Sequence, residues 1–206
     1  MSYSNKSVYK VIIAGDGGVG KSTMIHSILT RDYFPASGIT IGVDISIHRE
    51  AVVALNEIDQ QPAGTESELS LLLFDLGGQE QFHFIHTAFI IGAKAATIVY
   101  DLTKPETFDN IPHWIDLFET EYPSIPIFIV GTKRDLVSEE IVTSFTTRWE
   151  QMRKSFAPNV NIVDHFTFSS KVHADRDEMF TQLWNLAQTW QKKIYEAQQG
   201  KISSKQ

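Results

Sequence analysis

The chain has 206 residues, 42% of them hydrophobic, and a formal charge of −7. That length suits one domain with a sizeable core, and the acidic balance argues against a nucleic-acid partner, which usually meets a basic face. There is no cysteine, which excludes disulfides, thiolate metal sites and catalytic thiols.

The longest apolar runs, such as residues 125–130 and 95–100, fall far short of the ~18 residues of a membrane-spanning helix. The first residues hold no apolar signal core and no glycine after Met1. The expectation is a soluble, cytoplasmic protein.

Apolar runs rich in β-branched residues alternate with helical patterns, as in a parallel sheet flanked by helices. The first run, Val8–Ala14, enters a glycine-rich turn and then a helix over Lys21–Arg31. A second run, Val43–Leu55, and a third, Leu69–Phe74, are joined by a polar segment and are placed to form a hairpin. Later runs are Ala95–Asp101, Ile125–Gly131 and Ile162–Phe168. The pattern predicts helices over Pro105–Glu121, Ser138–Ser155 and Ala174–Ala197. In the last of these, Leu183, Leu186, Ala187, Trp190 and Ile194 form one apolar stripe, so its tryptophans read as core packing. Residues 198–206 lack that period and are expected to fray, leaving residues 1–197 as the single domain.

The strongest signal is Gly15-Asp16-Gly17-Gly18-Val19-Gly20-Lys21-Ser22, a G-x-x-x-x-G-K-[ST] turn between a predicted strand and a predicted helix. Glycines there let backbone N–H groups converge on phosphate oxygens. The helix that follows, with Thr23 in its first turn, adds partial positive charge. Lys21 can reach β- and γ-phosphates, and the Ser22 hydroxyl can ligate magnesium. This turn alone specifies a nucleotide phosphate and leaves the base open.

Thr132-Lys133-Arg134-Asp135 follows the fifth run and bears on the base. A carboxylate there can accept from both guanine N1–H and the 2-amino group, a donor pair that adenine lacks. Ser169-Ser170-Lys171, at the end of the sixth run, can offer a backbone N–H to the guanine 6-oxo group. Each short motif is weak alone; their order and strand-end placement after the glycine-rich turn make guanine the expected base.

With these motifs in this order, the chain resembles the Ras superfamily over roughly Tyr9 to Trp190, and within it the Rab proteins. Thr40-Ile41-Gly42-Val43-Asp44 is similar to the Rab effector segment. Phe89-Ile90-Ile91-Gly92-Ala93, Ile98-Val99-Tyr100-Asp101-Leu102-Thr103 and Trp114 follow Rab patterns too. Thr132 replaces the commoner asparagine, as in Rho-type members. The resemblance implies an α/β, three-layer P-loop NTPase G domain. Its six-stranded sheet would be mostly parallel, with one antiparallel edge strand and about five helices. It also implies a small GTPase that cycles between GTP and GDP with Mg2+, in trafficking or signalling.

Carried over by position, Thr40 would ligate magnesium through its hydroxyl and touch the γ-phosphate through its backbone. Asp75-Leu76-Gly77-Gly78-Gln79 matches D-x-x-G-Q. Asp75 would hold a magnesium-bound water, the Gly78 N–H would contact the γ-phosphate, and Gln79 would orient the attacking water. Lys21 and the loop amides would stabilise charge on the transferring phosphoryl group. Tyr33 occupies the place of an aromatic that packs against guanine. No arginine lies between Tyr33 and Thr40 to act as a finger in cis, so intrinsic hydrolysis is expected to be slow. A GTPase-activating protein, an exchange factor and effectors are the implied partners.

Four features depart from an ordinary Rab. With no cysteine, the sequence offers no prenylation site, and no direct lipid anchor is expected; recruitment to a membrane would go through partners. Gly77 stands where alanine is usual and is expected to loosen the second switch. The segment Asn56–Ser70, with Glu57, Asp59, Glu66 and Glu68, lengthens the path from Thr40 to Asp75 and reads as a solvated hairpin extension. The stretch from Asp135 to Ser169 is also longer than usual. His83 and His86 lie beside the second switch, where too few further ligands stand nearby for a metal site. An ATPase or small-molecule kinase, a non-hydrolysing scaffold and an interaction domain with a vestigial loop are the competing readings.

Overall fold

A computed structural model describes residues 5–35, 38, 40–55, 62–78 and 83–203. Its strands are β1 (Asn5–Ala14), β2 (Val43–Leu55), β3 (Pro62–Leu76), β4 (Ala95–Asp101), β5 (Ile127–Thr132) and β6 (Ile162–Thr167). They form one sheet in the order β2-β3-β1-β4-β5-β6. Every neighbouring pair is parallel except β2 with β3, which makes β2 the antiparallel edge strand.

The residue pattern accounts for this order. Strands β4 and β5 are buried along their whole length, as expected of central parallel strands covered on both faces. Along β1, Tyr9, Val11 and Ile13 point into one core while Ile12 and Ala14 point into the other. The connecting helices are α1 (Lys21–Thr30), α2 (His83–Ile90), α3 (Pro105–Asp109), α4 (Ile111–Glu121), α5 (Glu139–Met152) and α6 (His173–Ser203). Residues of α1 and α6 line the first core, and residues of α2, α3, α4 and α5 line the second. The result is the expected three-layer α/β arrangement.

Segments α3 and α4 are the two halves of the helix predicted over Pro105–Glu121. Pro112 explains the break at Asn110: it has no N–H to donate, and its ring crowds the carbonyl one turn earlier. The expected hairpin also forms, but it is longer than the apolar pattern suggested. Strand β3 begins at Pro62, so Glu66 and Glu68 sit in a paired strand, opposite Val53 and Ala51 of β2. On its other side β3 meets β1 as far out as Asn5, opposite Ser67, with Lys6 3.9 Å from Glu68. Residues 56–61 of the predicted extension lie outside the described residues.

Helix α6 runs to Ser203, past the end expected at Ala197. Its stripe behaves as predicted: Leu183, Trp184 and Ala187 are buried, and Trp190 packs edge-on against Tyr9 at 5.5 Å. Among the described residues, no helix is long and apolar enough to cross a membrane.

Candidate functional site

The glycine-rich turn links β1 to α1 at the carboxyl ends of the parallel strands, where open α/β sheets place their ligands. Gly15 has φ +134°, and a Cβ there would meet the Val99 carbonyl oxygen at 2.1 Å. The turn therefore lies flat on β4 only because Gly15 has no side chain. Lys21 is buried and donates from Nζ to the carbonyls of Gly15 and Asp16, both at 2.8 Å. Burial lowers its pKa to about 8, against the opposing pull of Asp75 and Asp16. A cavity of about 140 Å³ beside it is lined by Gly17, Gly18, Gly20, Lys21, Ser22, Thr23, Gly38, Thr40 and Gly78. These come from the turn and from both segments that sequence reasoning marked as switches.

The three residues named as metal ligands converge, although they come from separate parts of the chain. Ser22 Oγ lies 2.9 Å from Thr40 Oγ1 and donates to Asp75 Oδ2, while Thr40 Oγ1 donates to the same oxygen at 3.3 Å. The ladder holds Asp75 opposite Asp44. Burial raises the Asp75 pKa, with the Ser22 hydrogen bond opposing it. The other carboxylate oxygen, Oδ1, is buried with no hydrogen-bond partner among the described residues. An orphaned anionic oxygen beside two hydroxyls is the donor chemistry of a hard divalent cation such as Mg2+. The residues fit such an ion.

The second switch differs from expectation at Gly77. It is buried, and its N–H donates to the Gly42 carbonyl at 2.8 Å, so it packs against the first switch. A Cβ on Gly78 would meet the Gly15 carbonyl oxygen at 2.3 Å, so this glycine permits close approach to the glycine-rich turn. Gln79 lies outside the described residues. His83 and His86 form the first turn of α2. Among the described residues, no group of three His, Asp or Glu side chains is arranged to hold a metal.

The two base motifs also meet. Asp135 Oδ1 accepts from Ser169 Oγ at 2.7 Å and Oδ2 from Lys171 Nζ at 2.8 Å. Its slight burial would raise the pKa, but these bonds outweigh it and hold the carboxyl below its usual range. The Lys171 ammonium lies 5.8 Å from the centre of the Tyr33 ring, which brings Tyr33 beside the same carboxylate. Ser170 follows in the same loop, its carbonyl held by Arg176 at 2.8 Å.

Thr132 and Lys133 face the phosphate turn. The Thr132 hydroxyl shares its proton between the carbonyls of Val19, at 2.5 Å, and Tyr100, at 2.9 Å. Lys133, at φ +61°, donates to the Gly18 carbonyl at 3.1 Å and to buried Asp101 at 2.6 Å. The base loop thus braces the phosphate loop.

Three supports were missed by sequence reasoning. Asp101 closes an apolar strand, and a charged residue ending such a run was the available signal. Asn110 and Trp114 bind the Asp16 carboxylate, a contact across the fold with no local signature. Arg176 is buried and joins Ser170 to the Arg31 carbonyl at the end of α1. It continues the apolar stripe of α6 back through Met179, Phe180 and Leu183, and a cation on that stripe was legible.

A family profile described as Ras family matches residues 10–189. Ras-related protein RabF1 of Dictyostelium discoideum is 30% identical over 187 residues, 90% of this chain and 87% of that protein. Ras-related protein Rab-1C of the same organism is 34% identical over 175 residues, 84% of this chain and 78% of that protein. Ypt/Rab-type GTPase YPT7 of Saccharomyces cerevisiae is 29% identical over 188 residues, 89% and 83% of the two chains. The phosphate turn, the six-strand order and the match over nearly the whole chain agree: this protein belongs to the Ras family.

Proposed function

We propose that this chain is a Rab-like small GTPase, a magnesium-dependent switch that binds GTP and GDP and hydrolyses GTP slowly. The observation that carries the reading is the meeting of Ser22, Thr40 and Asp75, one oxygen donor from each of the segments that must sense the γ-phosphate.

Lys21 exchanges the carbonyls of Gly15 and Asp16 for β- and γ-phosphate oxygens. Ser22, Thr40 and, through water, Asp75 would hold Mg2+, which would supply positive charge against the phosphates as negative charge develops. Residues Gly15 to Ser22 and Thr23 surround the phosphates with backbone N–H groups. Gly78 offers its N–H to the γ-phosphate, and Gln79 orients the attacking water. Asp135 reads the guanine edge, oriented by Ser169 and Lys171; Thr132 and Lys133 brace that loop, Ser170 completes it, and Tyr33 covers the base.

Loss of the γ-phosphate frees Thr40 and Gly78 together, which releases both switches. Effectors read the segment that Thr40 anchors, where Ile41 is 78% exposed and Ile45 and Ile47 of β2 are also exposed. A GTPase-activating protein supplies the missing arginine, a contribution of about 10⁵-fold in Ras, and an exchange factor reloads the site. The Rab-like relatives support a role in trafficking or signalling, from the cytoplasm, with membrane recruitment through partners.

The test is single-turnover hydrolysis of GTP by the purified protein, alongside Gln79→Leu. Slow, magnesium-dependent hydrolysis that the substitution reduces is expected. Equal rates in the two proteins, or displacement of bound GDP by excess ATP, would sink the reading.

A further inference from the structure

We infer that Asp101 is a positioning residue for the phosphate turn, acting through Lys133. The inference rests on the proposed reading of that turn as the diphosphate site. Asp101 closes β4 and its side chain is fully buried, where a carboxylate persists only if it is paired and hydrogen-bonded. Both of its oxygens are taken. Oδ1 accepts from the Thr103 N–H at 2.9 Å and the Thr103 hydroxyl at 2.7 Å, and Oδ2 accepts from Lys133 Nζ at 2.6 Å. Its backbone is held as well: the N–H donates to Thr107 Oγ1 at 2.9 Å, and the carbonyl accepts from the Lys104 N–H at 2.8 Å.

The carboxylate is therefore a fixed point at the end of a central strand. Lys133 is long and partly exposed, and this fixed point holds its ammonium where it also donates to the Gly18 carbonyl at 3.1 Å. A trans peptide is planar, so fixing the Gly18 carbonyl fixes the Val19 N–H on its other side. That N–H is one of those the turn offers to phosphate oxygens. Thr132 holds the carbonyl of Val19 itself, so two successive peptides of the turn are oriented from the base loop. A purely electrostatic role for Asp101 would have the opposite sign. A carboxylate close to bound phosphates repels them, so deleting its charge would tighten binding. As a positioning residue Asp101 slows release, and the sign tells the two apart.

The experiment compares wild type, Asp101→Asn, Lys133→Met and the double variant. Each is loaded with fluorescent GDP and magnesium, and release is followed on a chase with unlabelled GDP. Asp101→Asn keeps an oxygen for Thr103 but removes the charged acceptor of Lys133, so release should quicken about tenfold. The double variant should release no faster than Lys133→Met alone, because residue 101 acts through Lys133. Competition between GDP and IDP, which lacks the 2-amino group, reads base recognition separately. Asp135 keeps Ser169 and Lys171 as partners, so in Asp101→Asn the preference for GDP should hold within about twofold. Unchanged or slower release, additive effects in the double variant, or a lost preference would overturn the inference. If wild type holds no GDP at all, the phosphate-site reading fails instead, so the two failures are distinct.

If Asp101→Asn does not fold, the wild-type protein decides. With GDP bound, the Lys133 ammonium should keep a nitrogen–hydrogen NMR correlation, identified by its absence from Lys133→Arg, because its bonds to Asp101 and Gly18 slow exchange with water. A signal lost to that exchange would overturn the inference.

Discussion

Trp114 donates its indole N–H to Asp16 Oδ1 at 3.0 Å, and Asn110 binds the other carboxylate oxygen at 2.7 Å. The phosphate turn is thereby braced by Trp114 of α4 and by Asn110 just before it. Asp16 stands next to Gly15, whose flat approach to β4 leaves no slack, so its carboxylate fixes where the turn points.

Trp114→Phe keeps an aromatic ring at this buried position but removes the donor and part of the indole's volume. A hydrogen bond to a charged group contributes about 1.5–3 kcal/mol and the smaller ring adds a cavity cost, so stability in urea should fall by about 2 kcal/mol or more. Fluorescent GDP should dissociate severalfold faster. An unchanged release rate would separate the brace from nucleotide binding.

Asp135→Asn should cost far more in binding than in stability. The carboxylate is partly exposed; exposed Lys171 can turn to water, and the amide oxygen that replaces the carboxylate can still accept from buried Ser169. Guanine would lose two charge-assisted hydrogen bonds, so GDP affinity should drop by about 100-fold or more. Calorimetric titration with GDP measures the loss. A drop below tenfold would remove Asp135 from base recognition.

Arg176→Met tests the staple between the base loop and α1. Methionine retains the apolar stem but donates nothing to Ser170 or Arg31. Among the described residues this buried cation is held by two carbonyl oxygens and no carboxylate, so its burial cost offsets much of those bonds and unfolding should change by less than about 1 kcal/mol. GDP release should nevertheless quicken, read with the same fluorescent nucleotide. Equal release rates would make Arg176 a packing residue.

His165 gives the fold an acid limit. Its ring stacks on Trp149 at 5.0 Å, and Nε2 meets the Tyr100 hydroxyl at 3.0 Å. Burial lowers its pKa to about 4; Asp164 and Glu150 favour the proton, and Arg153 opposes it. As pH falls, the unfolded chain takes up this proton near pH 6.5 and the folded chain only near pH 4. Stability is therefore lost between those values, by about 2 kcal/mol once partial exposure is allowed for. In denaturant titrations across that range, His165→Phe should show a correspondingly shallower slope than wild type. Parallel slopes would exclude His165.

The parts of this molecule written in local pattern were legible in its sequence. Strands β4 and β5 read as apolar runs because both their faces are buried, and the phosphate turn reads directly from its glycines and lysine. Gathering of Ser22, Thr40 and Asp75 was expected through resemblance, since spacing alone does not bring Asp75 to Ser22. What escaped depends on partners distant in sequence. The outer part of β3 is polar, and pairing on both sides makes it a strand despite its glutamates. Gly77 looked like a source of freedom because the Gly42 carbonyl that takes its N–H is invisible from neighbouring residues. Asn110 and Trp114 gained their role only when α4 came to lie against Asp16.

The β2–β3 ladder has a mechanical consequence. Because Asp44 is registered opposite Asp75 by the pairs around it, the separation of the two switches does not depend on how far the hairpin extends at its distal end. Trimming both strands by equal amounts leaves that register intact. Sliding one strand by a single residue reverses every side chain on it, which would take His48 off Phe180 and Trp184 and turn Asp44 to the opposite face. Length is free to drift at the tip of this hairpin, whereas parity is not.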